Sequence, residues 1–373
     1  MDKSVEDIKN IAKLFAIEGE FSGVEEIETG LINSTYAVTF TKESKEQTRY
    51  IIQRINESVF GDPHVVMKNV AKVTRHINER VLRIKKDFGG HTLSLYPDRE
   101  GKPYVEGPGG GVWRCYNYIE GCRTYDVVEN THQAYEAARA FGAFQHLVSG
   151  LDPSEIKEVL PDFHNTPQRL EHLRNTVGED RVGRVSQVSK ELAEIEAMSS
   201  DVSRIQDLLV SGKLPLRVTH NDTKINNVLF DIESDDAICV IDLDTVMPGV
   251  ALYDFGDLVR TATNPAEEDE RDLSLVKMRM SIFEALVSGY LETAHGVLVE
   301  DELELLPFSG RLISLELGMR FLTDFLNGDQ YFKVKREGQN LDRARTQIRL
   351  AQEIQRQEKE MLSFVHKIAK GLG

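Results

Sequence analysis

The nine residues from Thr219 to Asn227 constrain this chain more than any other stretch. They read Thr-His-Asn-Asp-Thr-Lys-Ile-Asn-Asn and contain H-x-D-x-K-x-x-N, with His220, Asp222, Lys224 and Asn227 on the spaced positions. An apolar lead-in, Leu214 to Val218, precedes them, and Val228-Leu229-Phe230 leaves on the far side. After the polar turn Asp231 to Asp236 comes Ala237-Ile238-Cys239-Val240-Ile241, rich in β-branched residues and ending in Asp242-Leu243-Asp244. Two short apolar runs around a polar turn predict a hairpin over 228–241. That hairpin presents Asp242 beside the loop that carries Asp222.

This set of residue types fits one chemistry. Phosphoryl transfer from ATP needs a carboxylate to orient the attacking hydroxyl and a Lys near the γ-phosphate, with an Asn and a second Asp on Mg²⁺. The protein-kinase catalytic loop is H-R-D-x-x-x-x-N, and His220, Asp222 and Asn227 fall on its fixed positions. Asp222 is thus the candidate catalytic carboxylate, Lys224 a γ-phosphate contact by loop spacing, and Asn227 and Asp242 the candidate Mg²⁺ ligands. No A-P-E motif follows Asp242, and Asp-Leu-Asp stands where protein kinases have Asp-Phe-Gly, which argues against a protein substrate.

Upstream, Val24 to Ile27 and Ala37 to Phe40 predict two strands joined by Thr29-Gly30-Leu31-Ile32-Asn33-Ser34-Thr35-Tyr36. Gly30 with the small polar residues Asn33 and Thr35 suits either a plain hairpin or a loop laying backbone N–H groups over phosphates. Arg49 to Ile55 predicts a third strand, where kinases place the Lys that holds the α- and β-phosphates. This strand has no Lys, so Arg54 is the candidate, with Gln53 as the alternative and a plain surface Arg as the competing reading. Val66, Val70, Val73, Ile77, Val81 and Ile84 mark a long helix after Pro63. Its Glu79 is placed either against Arg54 or on the solvent face. Thr92 to Tyr96 and Val112 to Ile119 add two strands, with a turn at the Gly107–Gly111 cluster. Tyr118-Ile119-Glu120-Gly121 falls where a lobe connector would read adenine, with Ile119 lining the base site. The expected architecture is α+β, a protein-kinase-like two-lobed fold. A small β-rich nucleotide-binding lobe spans 1–121, and a larger, mainly helical catalytic and substrate-binding lobe spans 122–373.

The second region carries helical apolar stripes over 131–149 and 187–211, a helix beginning at Tyr253 to Leu258, and a closing helix over 341–370. Asp257 is read as a carboxylate holding the catalytic loop, and the acidic run 264–272 as a solvated loop. His164, in Phe163-His164-Asn165-Thr166, is read as a hydrogen-bonded cap or as a substrate contact. Arg320 interrupts a largely apolar helix and must be paired or face a polar cavity.

Composition narrows the partners. The chain of 373 residues has a net charge of −16 and a pI near 5.2, which opposes nucleic acid as the main partner. The three cysteines, Cys115, Cys122 and Cys239, form no C-x-x-C pair and suit reduced thiols. The N-terminus has no apolar signal core, and no window approaches a membrane span. The expectation is a cytoplasmic protein with neither a membrane nor an obligate protein partner.

The catalytic loop resembles that of the aminoglycoside phosphotransferase / choline kinase group. The finer likeness is to its N-acetylhexosamine 1-kinases, carried by Thr29 to Tyr36, Tyr50 to Asn56, Trp113 to Tyr116, Phe163 to Thr166, His220 to Asn227 and Arg320 to Phe332. The resemblance implies ATP and Mg²⁺ as cofactors, with Asp222 as the base and Asn227 and Asp242 as magnesium ligands. Arg320 and Tyr331 would hold the sugar, and the product would be the 1-phosphate of N-acetylglucosamine or N-acetylgalactosamine. The alternatives are a homoserine-type kinase, for which Arg320 suits a carboxylate, a choline- or aminoglycoside-type kinase, and a catalytically silent protein of kinase fold.

Overall fold

The computed structural model describes residues 4–27, 32–84 and 91–372. Helix α1 (Val5–Ala12) starts in a capping box between Ser4 and Asp7 and ends several residues short of the expected stripe over 4–17. Strands β1 (Glu20–Ile27), β2 (Ser34–Thr41) and β3 (Gln47–Arg54) follow, then α2 (Pro63–Ile84), β4 (Val105–Glu106) and β5 (Val112–Asn117). They build an antiparallel sheet in the order β1-β2-β3-β5-β4. Thr92 to Tyr96, expected as a strand, contributes only a bridge from Leu95 to Tyr116. The Asn78 and Asn117 side chains bond this stretch at Thr92, Leu93 and Ser94.

The two-residue alternation of strand side chains decides which groups reach the cleft. Tyr50 and Ile52 of β3, with Trp113 and Cys115 of β5, pack under Ile8, Ile11 and Phe15 on one face. Ile51 and Tyr116 join the opposite core, with Val66, Val70 and Val73 of α2. Arg54 shares its face with Tyr50 and Ile52, whereas Gln53 shares the cleft face with Ile51.

Beyond Tyr118 to Gly121 the chain forms β6 (Cys122–Arg123), α3 (Thr131–Val148), α4 (Thr166–Glu179), α5 (Ser189–Ala197), α6 (Arg204–Val210) and β7 (Arg217–Thr219). The expected hairpin is β8 (Val228–Asp231) and β9 (Ala237–Val240), with β6 on its outer edge, and β10 (Met247–Gly249) returns beside β7. Helices α7 (Ala251–Thr263), α8 (Met280–Ala294), α9 (Glu300–Leu326) and α10 (Gln339–Leu372) complete the chain. Buried along most of its length, α9 packs against α4, α7 and α10, while α3 packs against α8. The single helix expected over 187–211 is broken between α5 and α6 by a turn at Ser199-Ser200-Asp201. The acidic run 264–272 is tied down by Arg336 to Asp269 and Arg343 to Glu268. No helix among the described residues is long and apolar enough to cross a membrane.

Candidate active site

The loop between β7 and β8 is built from backbone-directed carboxylates. Asp254, in the first turn of α7, accepts the N–H groups of His220 at 2.9 Å and Asn221 at 2.7 Å. One turn later, Asp257 accepts Thr223 N–H at 3.0 Å and also holds Arg260. Asn221 itself is left-handed, at φ 65°, a conformation Asn tolerates better than most residues. The His220 ring is fully buried, with Phe141 and Phe144 of α3 edge-on to it. Its Nδ1 accepts Asp222 N–H at 3.3 Å, so Nε2 carries the proton it donates to Ile241 O at 3.0 Å. His220 is therefore a brace between the loop and the hairpin.

Asp222, unlike Asp254 and Asp257, keeps 24% of its side chain exposed. Its Oδ2 accepts from Lys224 Nζ at 2.9 Å and from Asn227 Nδ2 at 2.9 Å. Burial pushes its carboxyl up, but Lys224, His220 and Asn227 outweigh burial and hold it below the ordinary range. Lys224 moves the other way: burial lowers it, and Asp222 and Asp242 raise it above an ordinary lysine.

Asp242, left-handed at φ 61°, is pushed up to about 6 by burial and by the carboxylates of Asp244 and Asp222. Asn227, whose N–H groups go to Asp222, keeps its Oδ1 as an acceptor, and it lines the same cleft as Asp242. A crowded carboxylate beside a free amide oxygen suits a divalent cation that also takes nucleotide phosphate oxygens. Among the described residues no group of three His, Cys, Asp or Glu side chains could hold a metal alone.

The cleft above this loop measures about 350 Å³. Ile27 and Ile51 from the sheet and Leu229 and Ile241 from the hairpin region give it apolar walls, and Ile119 closes the connector side. The connector is clamped from β3: Arg49 Nε donates to Glu120 at 2.8 Å, and its guanidinium stacks on Tyr118 at 3.9 Å. Asn33 and Thr35 line the cleft, and Gly30 lies outside the described residues.

On the third strand, of the two residues offered by the sequence, Gln53 faces the cleft and Arg54 does not. Arg54 lies across Gly111, where an added Cβ would come within 2.5 Å of its Nε, and so faces away from the cleft. Glu79 pairs with Arg83 instead. Gln53 occupies the cleft face, donating to Thr35 Oγ1 at 3.0 Å and accepting from Arg114 Nε at 2.9 Å. Arg114, at 1% exposure, forms an ion pair with Asp244, whose other oxygen accepts from Asn33 Nδ2 at 2.5 Å. A buried Arg–Asp pair thus ties β2, β3 and β5 to the segment that carries Asp242. Arg114 and Asp244 were not recognised from sequence, although a lone Arg within Val112-Trp113-Arg114-Cys115-Tyr116 was a legible signal.

A second cavity, about 310 Å³, lies between α4, α9 and the turn after α9, lined by Phe163, Arg169, Arg320, Tyr331 and Phe332. Asp324 builds that turn, accepting the N–H groups of Gln330, Tyr331 and Phe332 at 2.8–2.9 Å. His164 is not the helix cap, a role filled by Asn165. It bonds buried Glu316 through Nδ1 at 2.9 Å, and its Nε2 is buried without a partner. The His164 ring packs between Phe163 at 4.6 Å and Tyr253 at 4.9 Å, linking this cavity to the residue beside Asp254.

The fold is that of small-molecule kinases in the protein-kinase-like class. A microcompartment-associated aminopropanol kinase superposes with a TM-score of 0.60 at 16% identity, over 96% of this chain and 98% of its own. An amicoumacin kinase in complex with AMP-PNP and Ca²⁺ does so with 0.57 at 15% identity, over 94% of each chain. A choline kinase from Cryptosporidium parvum gives 0.55 at 15% identity, over 98% of this chain and 99% of its own. Residues 23–277 match the phosphotransferase enzyme family, and the chain belongs to that family.

Proposed function

We propose that this protein transfers the γ-phosphoryl group of ATP, with Mg²⁺, to the anomeric hydroxyl of an N-acetylhexosamine. The observation that carries phosphoryl transfer is Asp222, kept ionised by Lys224 and Asn227 on a loop whose backbone is clamped by Asp254 and Asp257. The lobe boundary in this reading falls at residue 121. Nucleotide lies in the cleft under Asn33, Thr35 and Ile119, and Gly30 belongs to the same phosphate loop.

Asp222 orients the acceptor hydroxyl and takes its proton as the new P–O bond forms. An anomeric hydroxyl is more acidic than an ordinary alcohol, so a weakly basic carboxylate suffices. Lys224 exchanges its bond to Asp222 for the γ-phosphate. Asn227 and Asp242 would hold Mg²⁺, which would supply charge neutralisation for the nucleotide phosphates. Gln53, with Arg114 behind it, replaces Arg54 as the polar group at the phosphate end.

The sugar assignment rests on Arg320, Tyr331 and His164 in the stretches that resemble the N-acetylhexosamine 1-kinases. The aminopropanol and choline named for two structural neighbours bear a cationic nitrogen, and a guanidinium at the acceptor cavity opposes such a charge. The test is an ATP/Mg²⁺ phosphorylation assay over both N-acetylhexosamines, glucose, galactose, homoserine, choline and kanamycin, with D222N as the blank. Turnover of the N-acetylhexosamines with phosphate on C1 is expected. Turnover of homoserine or a cation alone would remove the sugar assignment, and no turnover with ATP still bound would point to the silent reading.

A further inference from the structure

Arg320 has an unusual set of neighbours for a guanidinium within a largely buried helix. Its Cζ stands 5.1 Å from the ring centroid of Phe163, 5.6 Å from Phe332 and 6.0 Å from Tyr331. These are cation–π distances on three rings. Among the described residues, no carboxylate forms an ion pair with it and no acceptor takes a hydrogen bond from it. Asp324, which borders the same cavity, is occupied by three backbone N–H groups and by Asn340 Nδ2 at 2.9 Å. Glu316, one turn earlier on α9, bonds His164 and Thr166 and attracts Arg320 through space without a hydrogen bond to it. Arg169, across the cavity, adds a second positive charge that opposes Arg320.

Three aromatic faces around one point make a box for an organic cation, the arrangement that recognises quaternary ammonium groups. Here the protein's own side chain fills it. We infer that Arg320 acts as a built-in occupant of this aromatic box, excluding ammonium-bearing acceptors and offering its free N–H groups to neutral, oxygen-rich ones. The inference rests on the reading of this cavity as the acceptor site. It adds a specificity device of the kind that discriminates by repulsion as well as by attraction. An incoming ammonium meets two guanidinium charges and rings that already carry a cation. A sugar oxygen meets donors with no competing acceptor.

Removing the occupant should open the box. Choline is the probe, titrated calorimetrically into the full chain. Wild type is expected not to bind choline at millimolar concentration. R320A and R320Q both vacate the guanidinium position and should bind it at least about tenfold more tightly than wild type. R320K keeps a cation among the rings and should stay blind to choline. Millimolar binding of choline to wild type would overturn the inference without any variant, as would a folded R320A or R320Q that gains nothing. Phosphorylation of N-acetylglucosamine by wild type is read separately. Its absence alongside a gain of choline binding in R320A would sink the sugar assignment and leave the box standing.

Discussion

Two carboxylates that both press on Asp242 do opposite work here. Asp222 is held ionised by donors, and Asp244 is locked in a buried ion pair, with 3% of its side chain exposed. In D222N the hydroxyl loses its proton acceptor while the bond to Asn227 can survive. Turnover should fall by about 10²–10⁴-fold, with little change in nucleotide affinity, measured by steady-state kinetics and ADP titration. R114M leaves the Asp244 charge buried and unpaired, which should cost roughly 3–5 kcal/mol of stability. Pairing it with D244N should recover part of that loss, and a denaturant-unfolding double-mutant cycle reads the coupling. Glu316 supplies a pH signature. Burial pushes its carboxyl up, but His164, Thr166 and Arg320 win, so in the folded state it lies below the ordinary 4.5. A depressed folded value means the stabilisation is fully present above the ordinary 4.5 and is lost as pH falls from there through the lower folded value. Urea midpoints between about pH 3 and 6 should therefore fall less steeply in E316Q than in wild type.

At the scale of elements, β3 and α7 decide what reaches the site. Strand alternation sends Gln53 into the cleft and Arg54 onto Gly111. Q53A removes the links to Thr35 and Arg114 and should raise the KM for ATP by up to about tenfold, whereas R54A should leave it within about twofold. An equal rise in both variants would mean that β3 presents its other face when nucleotide binds. Helix α7 places Asp254 and Asp257 one turn apart, so that both point at the same loop. D254A should orphan two buried N–H groups, costing stability, and accelerate amide exchange at His220 and Asn221 by more than the global loss accounts for. The signal for α7 was visible, since Asp257 sits in a helical segment as a charge with a job. Asp254, which holds two backbone groups of the loop, was not separable from it without the structure.

For the whole molecule, the cleft proposed to take nucleotide is shared between the sheet and the helical region, with Asp244 as a fixed point between them. A ligand that bridges both should stabilise the folded chain by RT ln(1 + [L]/Kd), about 2.7 kcal/mol at a hundredfold excess over Kd. ADP with Mg²⁺ should raise Tm, and N227A should abolish the additional rise that Mg²⁺ confers over ADP alone. The β8–β9 hairpin, the long α2 and the two-region order were legible in the chain because each is local: an apolar period, a turn, a spaced motif. That His220, Asp222, Asn227 and Asp242 come together was legible for the same reason, since loop and hairpin are contiguous in sequence. The face presented by β3, the burial of Arg114 against Asp244 and the rings around Arg320 join residues separated by up to 169 positions. No local pattern encodes such meetings. They depend on which strand face α1 covers and on how α4 and the turn after α9 close over one guanidinium, and packing alone settles that.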